Sequence, residues 1–253
     1  MIEKYREDTL KEIPSLIRAF GLEGYKSPVL SAVGGGGKTT TLHRLADEYV
    51  RAGEKVVVTT TTHIFKESSP WFLEEPSLDE IRKCMEKYGQ VWAGMSYHNG
   101  RLKGLPEEML EQILGWNVPV LIEADGARRR PVKVPASHEP VIPGETTHVV
   151  SVYGMDCIGR QIGEICFRPE LAIKILNKKM AEPVTEEDIA VLAASDQAGR
   201  KGCPDHSVYQ VVLNKTDNRA LREKALSICR LLDKAGVCGT VVTGRESAET
   251  GGI

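Results

Sequence analysis

Gly34-Gly35-Gly36-Gly37-Lys38-Thr39-Thr40 sits between a short apolar run, Pro28 to Val33, and a segment whose Leu42, Leu45, Ala46, Tyr49 and Val50 recur at helical spacing until Gly53. Strand, glycine loop and helix in that order form the setting in which proteins cradle phosphate. Residues without Cβ let backbone N–H groups turn toward phosphate oxygens, and the helix dipole adds positive potential. Lys38 then neutralises the β and γ phosphates, and Thr39 offers a hydroxyl to Mg²⁺. The pattern G-x-x-x-x-G-K-[ST] has Ala32 in place of its first glycine, a position that serves the turn more than the phosphate contact. Gly34 to Thr40 is therefore read as the binding loop for a nucleoside triphosphate, GTP or ATP, with Mg²⁺.

Working outward, short apolar runs alternate with helical patterns. Strands are predicted at Lys55 to Thr60, Val91 to Met95, Val118 to Ala124, His148 to Tyr153, Val208 to Leu213 and Val237 to Val242. Helices are predicted from Ser77, which has capping-box spacing with Glu80, and at Glu107 to Leu114, Pro169 to Asn177, Glu186 to Ala194 and Arg219 to Ala235. This alternation predicts an α/β fold, a three-layer α/β/α arrangement of the P-loop NTPase type around a mostly parallel sheet. Tyr97-His98-Asn99-Gly100-Arg101 reads as a hairpin turn and allows one antiparallel edge. Ile2, Tyr5, Leu10, Ile13, Leu16, Ile17 and Phe20 suggest a helical N-terminal extension over residues 1–25, broken at Pro14. With no linker or internal repeat, residues 1–253 read as one nucleotide-binding domain.

Two further segments complete a nucleotide site. Val118 to Ile122 ends in Glu123-Ala124-Asp125, and an acid at the end of a strand beside a phosphate loop holds Mg²⁺ or its water. Either Glu123 or Asp125 fits that role. Asn214-Lys215-Thr216-Asp217 closes another apolar strand and matches N-K-x-D. A carboxylate at Asp217 can accept the N1–H and 2-amino hydrogens of guanine, donors that adenine lacks, so GTP is favoured over ATP. The run Thr59-Thr60-Thr61-Thr62-His63 reads equally as substrate contacts, above all Thr61, Thr62 and His63, or as a strand rich in β-branched residues.

After the acids, Arg128, Arg129, Arg130 and Lys133 place four cations where they can clamp a transferring phosphate or a second anionic ligand such as a pterin phosphate, though an arginine run is also a common solvated face. One of the arginines can serve as an internal arginine finger. His138 and Glu139 follow on a proline-bounded loop, suited to acid–base chemistry or to stiffening a lid.

Composition narrows the class. With 33 Lys plus Arg against 35 Asp plus Glu, the net charge of −2 gives no basic field for a nucleic-acid binder. No run is long and apolar enough for a membrane span, and the N-terminus lacks the apolar core of a leader, so a cytoplasmic protein is expected. Six scattered cysteines without a C-x-x-C pair are expected to be reduced and mostly buried. Cys203-Pro204-Asp205-His206 is the one place where a thiol and an imidazole sit close enough to share a metal, and it reads more simply as a loop.

Taken together, Val33 to Thr41, Val58 to Phe65, Glu123 to Pro131 with Lys133, Pro135, His138-Glu139-Pro140 and Pro143, and Asn214 to Asp217 resemble the YqeC family. That family is described as a selenium-dependent hydroxylase accessory, or selenium-cofactor biosynthesis, group. The order of phosphate loop, strand-end Glu and N-K-x-D is also similar to the GTPases that insert nickel into urease and hydrogenase. Their Cys-Pro-His motif is not matched by Cys203 to His206. The resemblance implies a P-loop fold of the metallocentre-assembly kind and a role in maturing molybdenum hydroxylases that carry selenium, with a molybdenum–selenium cofactor or an apo-hydroxylase as partner. Three activities fit: hydrolysis coupled to that assembly, phosphorylation or ligation of a small cofactor precursor, or a nucleotide-gated chaperone with little turnover.

Overall fold

The computed structural model describes residues 1–245. The chain opens with a hairpin, β1 (Ile2–Arg6) and β2 (Thr9–Glu12), a short helix α1 (Leu16–Phe20), and the glycine-loop unit of β3 (Val29–Gly34) and α2 (Lys38–Arg51). Then come β4 (Val56–Thr60), β5 (His63–Phe65), β6 (Phe72–Glu74), α3 (Leu78–Tyr88), β7 (Gln90–Tyr97), β8 (Arg101–Lys103) and α4 (Glu107–Leu114). The second half runs β9 (Val120–Glu123), β10 (Val132–Lys133), β11 (His148–Gly154), α5 (Ile162–Ile165), β12 (Cys166–Phe167), α6 (Pro169–Leu176), α7 (Glu186–Ala194), β13 (Val208–Asn214), α8 (Arg219–Lys234) and β14 (Val241–Thr243).

One sheet has the order β2-β1-β14-β13-β11-β3-β9-β4-β7-β8-β5, with β6 also on β7; β10 and β12 form a separate parallel pair. Every pairing from β14 to β7 is parallel, so the predicted α/β/α architecture holds. The antiparallel pairings lie toward the two ends: β2, β1 and β14 at one, β7, β8 and β5 at the other. The second is the hairpin predicted at Tyr97–Arg101, and Asn99 and Gly100, at φ of 59° and 66°, give its turn the left-handed backbone a tight hairpin needs.

The central strands are buried and mostly apolar because helices cover both faces. Leu30, Ala32, Val58, Leu121 and Val150 pack under Leu42 and Leu45 of α2 and Leu16 and Phe20 of α1. The alternate residues, among them Val29, Val57, Val120 and Ile122, pack under Ile81 and Met85 of α3 and Ile113 of α4. On that second face, Val211, Leu213 and Val242 meet Ile189 and Leu192 of α7 and Ile228 and Leu232 of α8. Ser77 and Glu80 make the reciprocal capping box read from their spacing.

Two expectations are corrected. The N-terminal extension is not an amphipathic helix: residues 2–12 form the β1–β2 hairpin, and only Leu16–Phe20 is α-helical. Glu7 and Asp8 take φ of 51° and 62°, a tight reversal that turns the chain after five residues, and β1 then adds antiparallel to β14. The apolar spacing was ambiguous because Tyr5 and Leu10 face each other across the hairpin and do not stack along a helix. The last strand is also shorter than Val237 to Val242, because Gly236 and Gly239 at positive φ hold the chain in turns until Val241. The six cysteines are free, and Cys84, Cys157, Cys166 and Cys229 are buried.

Candidate functional site

β3 and β9 lie side by side in parallel, so their carboxyl ends bring the glycine loop and the acidic segment to the same edge of the sheet. The loop's glycines are required by packing. At Gly36, with φ of 76°, a Cβ would meet Gly154 N at 2.1 Å; at Gly37, with φ of 133°, it would meet Asn214 Nδ2 at 2.1 Å. Close approach of the β11 and β13 ends therefore fixes the loop's shape before any ligand arrives. The amide of Gly34 donates to Asp125 Oδ2, that of Gly35 to Val152 O and that of Gly36 to Arg130 O. The donors left for an anion are those of Gly37, Lys38, Thr39 and Thr40, at the N-terminus of α2, where no carbonyl lies one turn back.

Beneath the loop is a buried charge network. Lys38 Nζ donates to Gly34 O at 2.6 Å and lies 3.1 Å from Asp125 and 3.8 Å from Glu123. Burial pulls the Lys38 ammonium toward deprotonation, but the two carboxylates together outweigh it and hold the pKa above its ordinary value. Asp125 also faces Lys133 at 3.1 Å; Lys133 in turn meets Glu139 at 3.0 Å, and Glu139 pairs with Arg168. Asp125 is thus enclosed by two ammonium groups and the Gly34 amide, while Glu123 accepts the Thr39 hydroxyl at 2.6 Å at the cleft wall. The alternative left open by sequence therefore separates by position: Asp125 braces the loop from below, and Glu123 stands beside Thr39.

The two glutamates titrate in opposite senses. Burial pushes Glu123 up, only partly offset by Lys38 and Thr39. For Glu139 burial acts the same way, yet Lys133, Arg168 and the Ala136 amide together hold it below the ordinary 4.5. A carboxyl lowered in the folded state stabilises the fold fully above its unfolded pKa, and loses that contribution as pH falls through the folded one. Glu139→Gln is therefore expected to be less stable than wild type at neutral pH, with the gap closing below about pH 4. Urea unfolding at several pH values checks this; a gap that stays constant down to acid pH contradicts it.

A cleft of about 920 Å³ opens above the loop. Of the residues singled out in the sequence, Gly36, Gly37, Lys38, Thr39, Thr40, Thr62, His63, Glu123, Arg128, Arg129, Arg130, Glu139 and Lys215 line it. Gly34, Gly35, Asp125 and Lys133 lie beneath or behind. Asn214 donates to Gly36 O and accepts from Thr243, so it ties the loop to β13 and β14. Thr61 instead bonds Val141 O, His138 is exposed, and Asp217, also exposed, accepts the Arg245 amide outside the cleft lining. Thr59 and Thr60 are buried and bonded to Ala93 O and Glu123 O, the strand role of the threonine run; Thr62 and His63 take the cleft role.

Among the lining residues not named as site candidates are Phe65, Arg101, Phe167 and Arg168. Arg128 and Arg129 both take left-handed backbone, φ 47° and 60°, which sends the two guanidinium groups to different aromatic rings. Arg129 lies 4.6 Å over Phe65, shared with Arg101 at 4.7 Å; Arg128 lies 5.1 Å over Phe167, shared with Arg168 at 4.4 Å. Phe65 follows the predicted strand end Thr60 by five residues and Arg101 closes the predicted hairpin turn, which was the available signal. Among the described residues no group of three His, Cys, Asp or Glu is placed to hold a metal, and no helix is long and apolar enough to cross a membrane.

Comparison with known proteins places this edge of the sheet inside a recognised family region. Residues 30–170, which contain the glycine loop, the acids and the arginine run, match the sequence model described as YqeC protein. The chain is also 33% identical over 141 residues to the uncharacterized protein YqeC of Escherichia coli (strain K12), covering 53% of this chain and 54% of that protein. The chain thus spans about half the length of that relative.

Proposed function

We propose that this chain, which belongs to the YqeC family, is a Mg²⁺-dependent P-loop nucleoside triphosphatase that favours GTP over ATP. The single observation that carries the reading is the Lys38–Thr39–Glu123 cluster, in which a buried ammonium, a hydroxyl and a carboxylate meet at the mouth of a glycine loop. Lys38 and the first-turn amides of α2 neutralise charge on the β and γ phosphates. Thr39 and Glu123 suit Mg²⁺, a hard cation that takes one or two protein oxygens and fills its other positions with water and phosphate. When bound, the ion supplies charge neutralisation at the transferring phosphate. Arg128, Arg129 or Arg130, on the cleft wall, supplies the remaining positive charge as a finger acting within the chain.

Asn214 and Lys215 stand on the β13 side of the loop, and the base belongs there. Lys215, at φ 63°, is turned into the cleft lining and paired with Asp156. Asp217 selects guanine by accepting two of its N–H groups. In Asp217→Ala, GTP affinity is expected to fall at least about tenfold with ATP affinity unchanged, since only guanine loses a partner. Isothermal calorimetry with non-hydrolysable analogues reads both; equal loss for the two nucleotides, or ATP preference in wild type, would overturn guanine selection.

Within the cell we place the protein in the cytoplasm, as an accessory in the maturation of selenium-dependent molybdenum hydroxylases, acting on a molybdenum–selenium cofactor or an apo-hydroxylase. That pathway role rests on the family resemblance. Transfer to a small cofactor precursor is the second reading, favoured by one observation: the cleft carries arginines that face no carboxylate among the described residues. A nucleotide-gated chaperone with little turnover would use the same binding site.

A further inference from the structure

Seven lysines and arginines line the cleft against two glutamates. Lys38, Arg168 and Lys215 are matched by carboxylates, and Arg130 donates to the Glu164 carbonyl. Arg101, Arg128 and Arg129 have aromatic neighbours and, among the described residues, no carboxylate. A magnesium-bound triphosphate is served by Lys38, the first-turn amides and a single arginine. The remaining guanidinium groups imply a second anion.

Sheet order says where it lies. Lys215 leaves β13, two strands to one side of β3, whereas Phe65 and Arg101 belong to β5 and β8, beyond β9, β4 and β7 on the other side. A nucleotide with its base at Asn214 and Lys215 and its phosphates on the glycine loop leaves the β5–β8 end of the cleft open. At that end Arg101 and Arg129 both lie over the Phe65 ring, at 4.7 and 4.6 Å from its centre, and Arg101 Nε is buried without an acceptor among the described residues. Phe65 and Tyr97 are 46% and 42% exposed there, large apolar surface beside the charge.

We propose that the β5–β8 end of the cleft is a second ligand site, in which Arg101 and Arg129 bind the oxyanion of a small molecule whose apolar body rests on Phe65 and Tyr97. The shared chemistry is a phosphate monoester or a carboxylate, both of which guanidinium forks hold by paired hydrogen bonds. The inference rests on the nucleotide reading only for the neighbour it gives this ligand. It makes the second ligand a co-substrate bound next to the γ phosphate, and so points to transfer over bare hydrolysis.

Fluorine NMR titration of the full chain tests it, with para-fluorophenyl phosphate and para-fluorobenzoate as probes and para-fluorophenol as the body without the anion. The expected result is saturable binding of at least one anionic probe, at least about tenfold tighter than the phenol, both without nucleotide and at saturating Mg²⁺ and non-hydrolysable GTP analogue. The tighter of the two anionic probes identifies the head group. Arg101→Ala with Arg129→Ala is expected to weaken that binding at least tenfold, and Arg101→Ala alone to leave nucleotide affinity within about threefold; Lys38→Ala is expected to weaken the nucleotide and spare the probe. If the alanine pair does not fold, Arg101→Lys with Arg129→Lys keeps the charge, removes the fork and is expected to weaken the probe in the same direction. The site is refuted if neither anion binds, if the phenol binds equally well, if the nucleotide displaces the probe one for one, or if the arginine variants bind it normally. Should the nucleotide itself fail to bind while the probe still depends on Arg101 and Arg129, the nucleotide reading falls and this site stands.

Discussion

Glu123→Gln is expected to lower the turnover of nucleoside triphosphate about 10²–10³-fold, a loss of about 3–4 kcal/mol of transition-state stabilisation. The substitution keeps the size of the side chain and an acceptor for the Thr39 hydroxyl, and removes the charge that Mg²⁺ needs beside it. It also removes the dependence of nucleotide affinity on Mg²⁺, which calorimetry with and without chelator reads directly. The fold is expected to survive. Burial already pushes the Glu123 carboxyl toward its neutral form, and a neutral amide in its place relieves a buried charge while Asp125 continues to balance Lys38. A melting temperature within a few degrees of wild type, with turnover lost, fits this account; turnover and Mg²⁺ dependence both unchanged would remove Glu123 from the site.

The largest effect on stability is expected at Lys133, whose side chain is fully buried. It stands between Asp125 and Glu139 and joins the charge network under the loop to the proline-bounded segment that carries Glu139. Methionine fills the same volume without the charge. Breaking a buried pair in this way costs about 3–5 kcal/mol, and the low end applies here because Lys38 still faces Asp125 and Arg168 still faces Glu139. Lys133→Met is therefore expected to lose about 3 kcal/mol in urea unfolding, with part of that recovered when Asp125→Asn is added. A wild-type melting curve for Lys133→Met would mean that the network contributes nothing to holding the loop.

Much of the molecule was legible because both periodicities were strong. Val29–Gly34, Val56–Thr60 and Val120–Glu123 are mostly apolar and buried at every position, since helices cover both sides of the sheet, and Glu186–Ala194 is bounded by a cap visible in the residues themselves. The N-terminal hairpin was not legible. Its apolar residues occur at spacings that fit a helix as well as a strand pair, and its register is decided by β14, more than two hundred residues away.

At the candidate site, the sequence marked residues that act through their own type and neighbours, such as Lys38, Thr39 and Glu123. It could not separate Glu123 from Asp125, because both point from the same strand end, and the difference arises from Lys133 arriving on a later segment. Phe65, Arg101, Phe167 and Arg168 escaped for a similar reason. Each is ordinary in its own stretch, and the pairing of guanidinium with ring is made only by the antiparallel pairing of β5 with β8 and by the left-handed backbone at Arg128 and Arg129.

In the function proposed, the loop from Gly34 to Thr40 holds the phosphates of a nucleotide with Mg²⁺. The most direct test of that role is calorimetric titration of non-hydrolysable GTP and ATP analogues into the wild-type chain and into Lys38→Ala, with cooperative melting of the variant confirmed beforehand. One Mg²⁺-dependent site per chain is expected in the wild type, tighter for the GTP analogue, with affinity lowered at least about a hundredfold without Lys38. Absence of nucleotide binding in the wild type, or equal affinity in the two proteins, would contradict it.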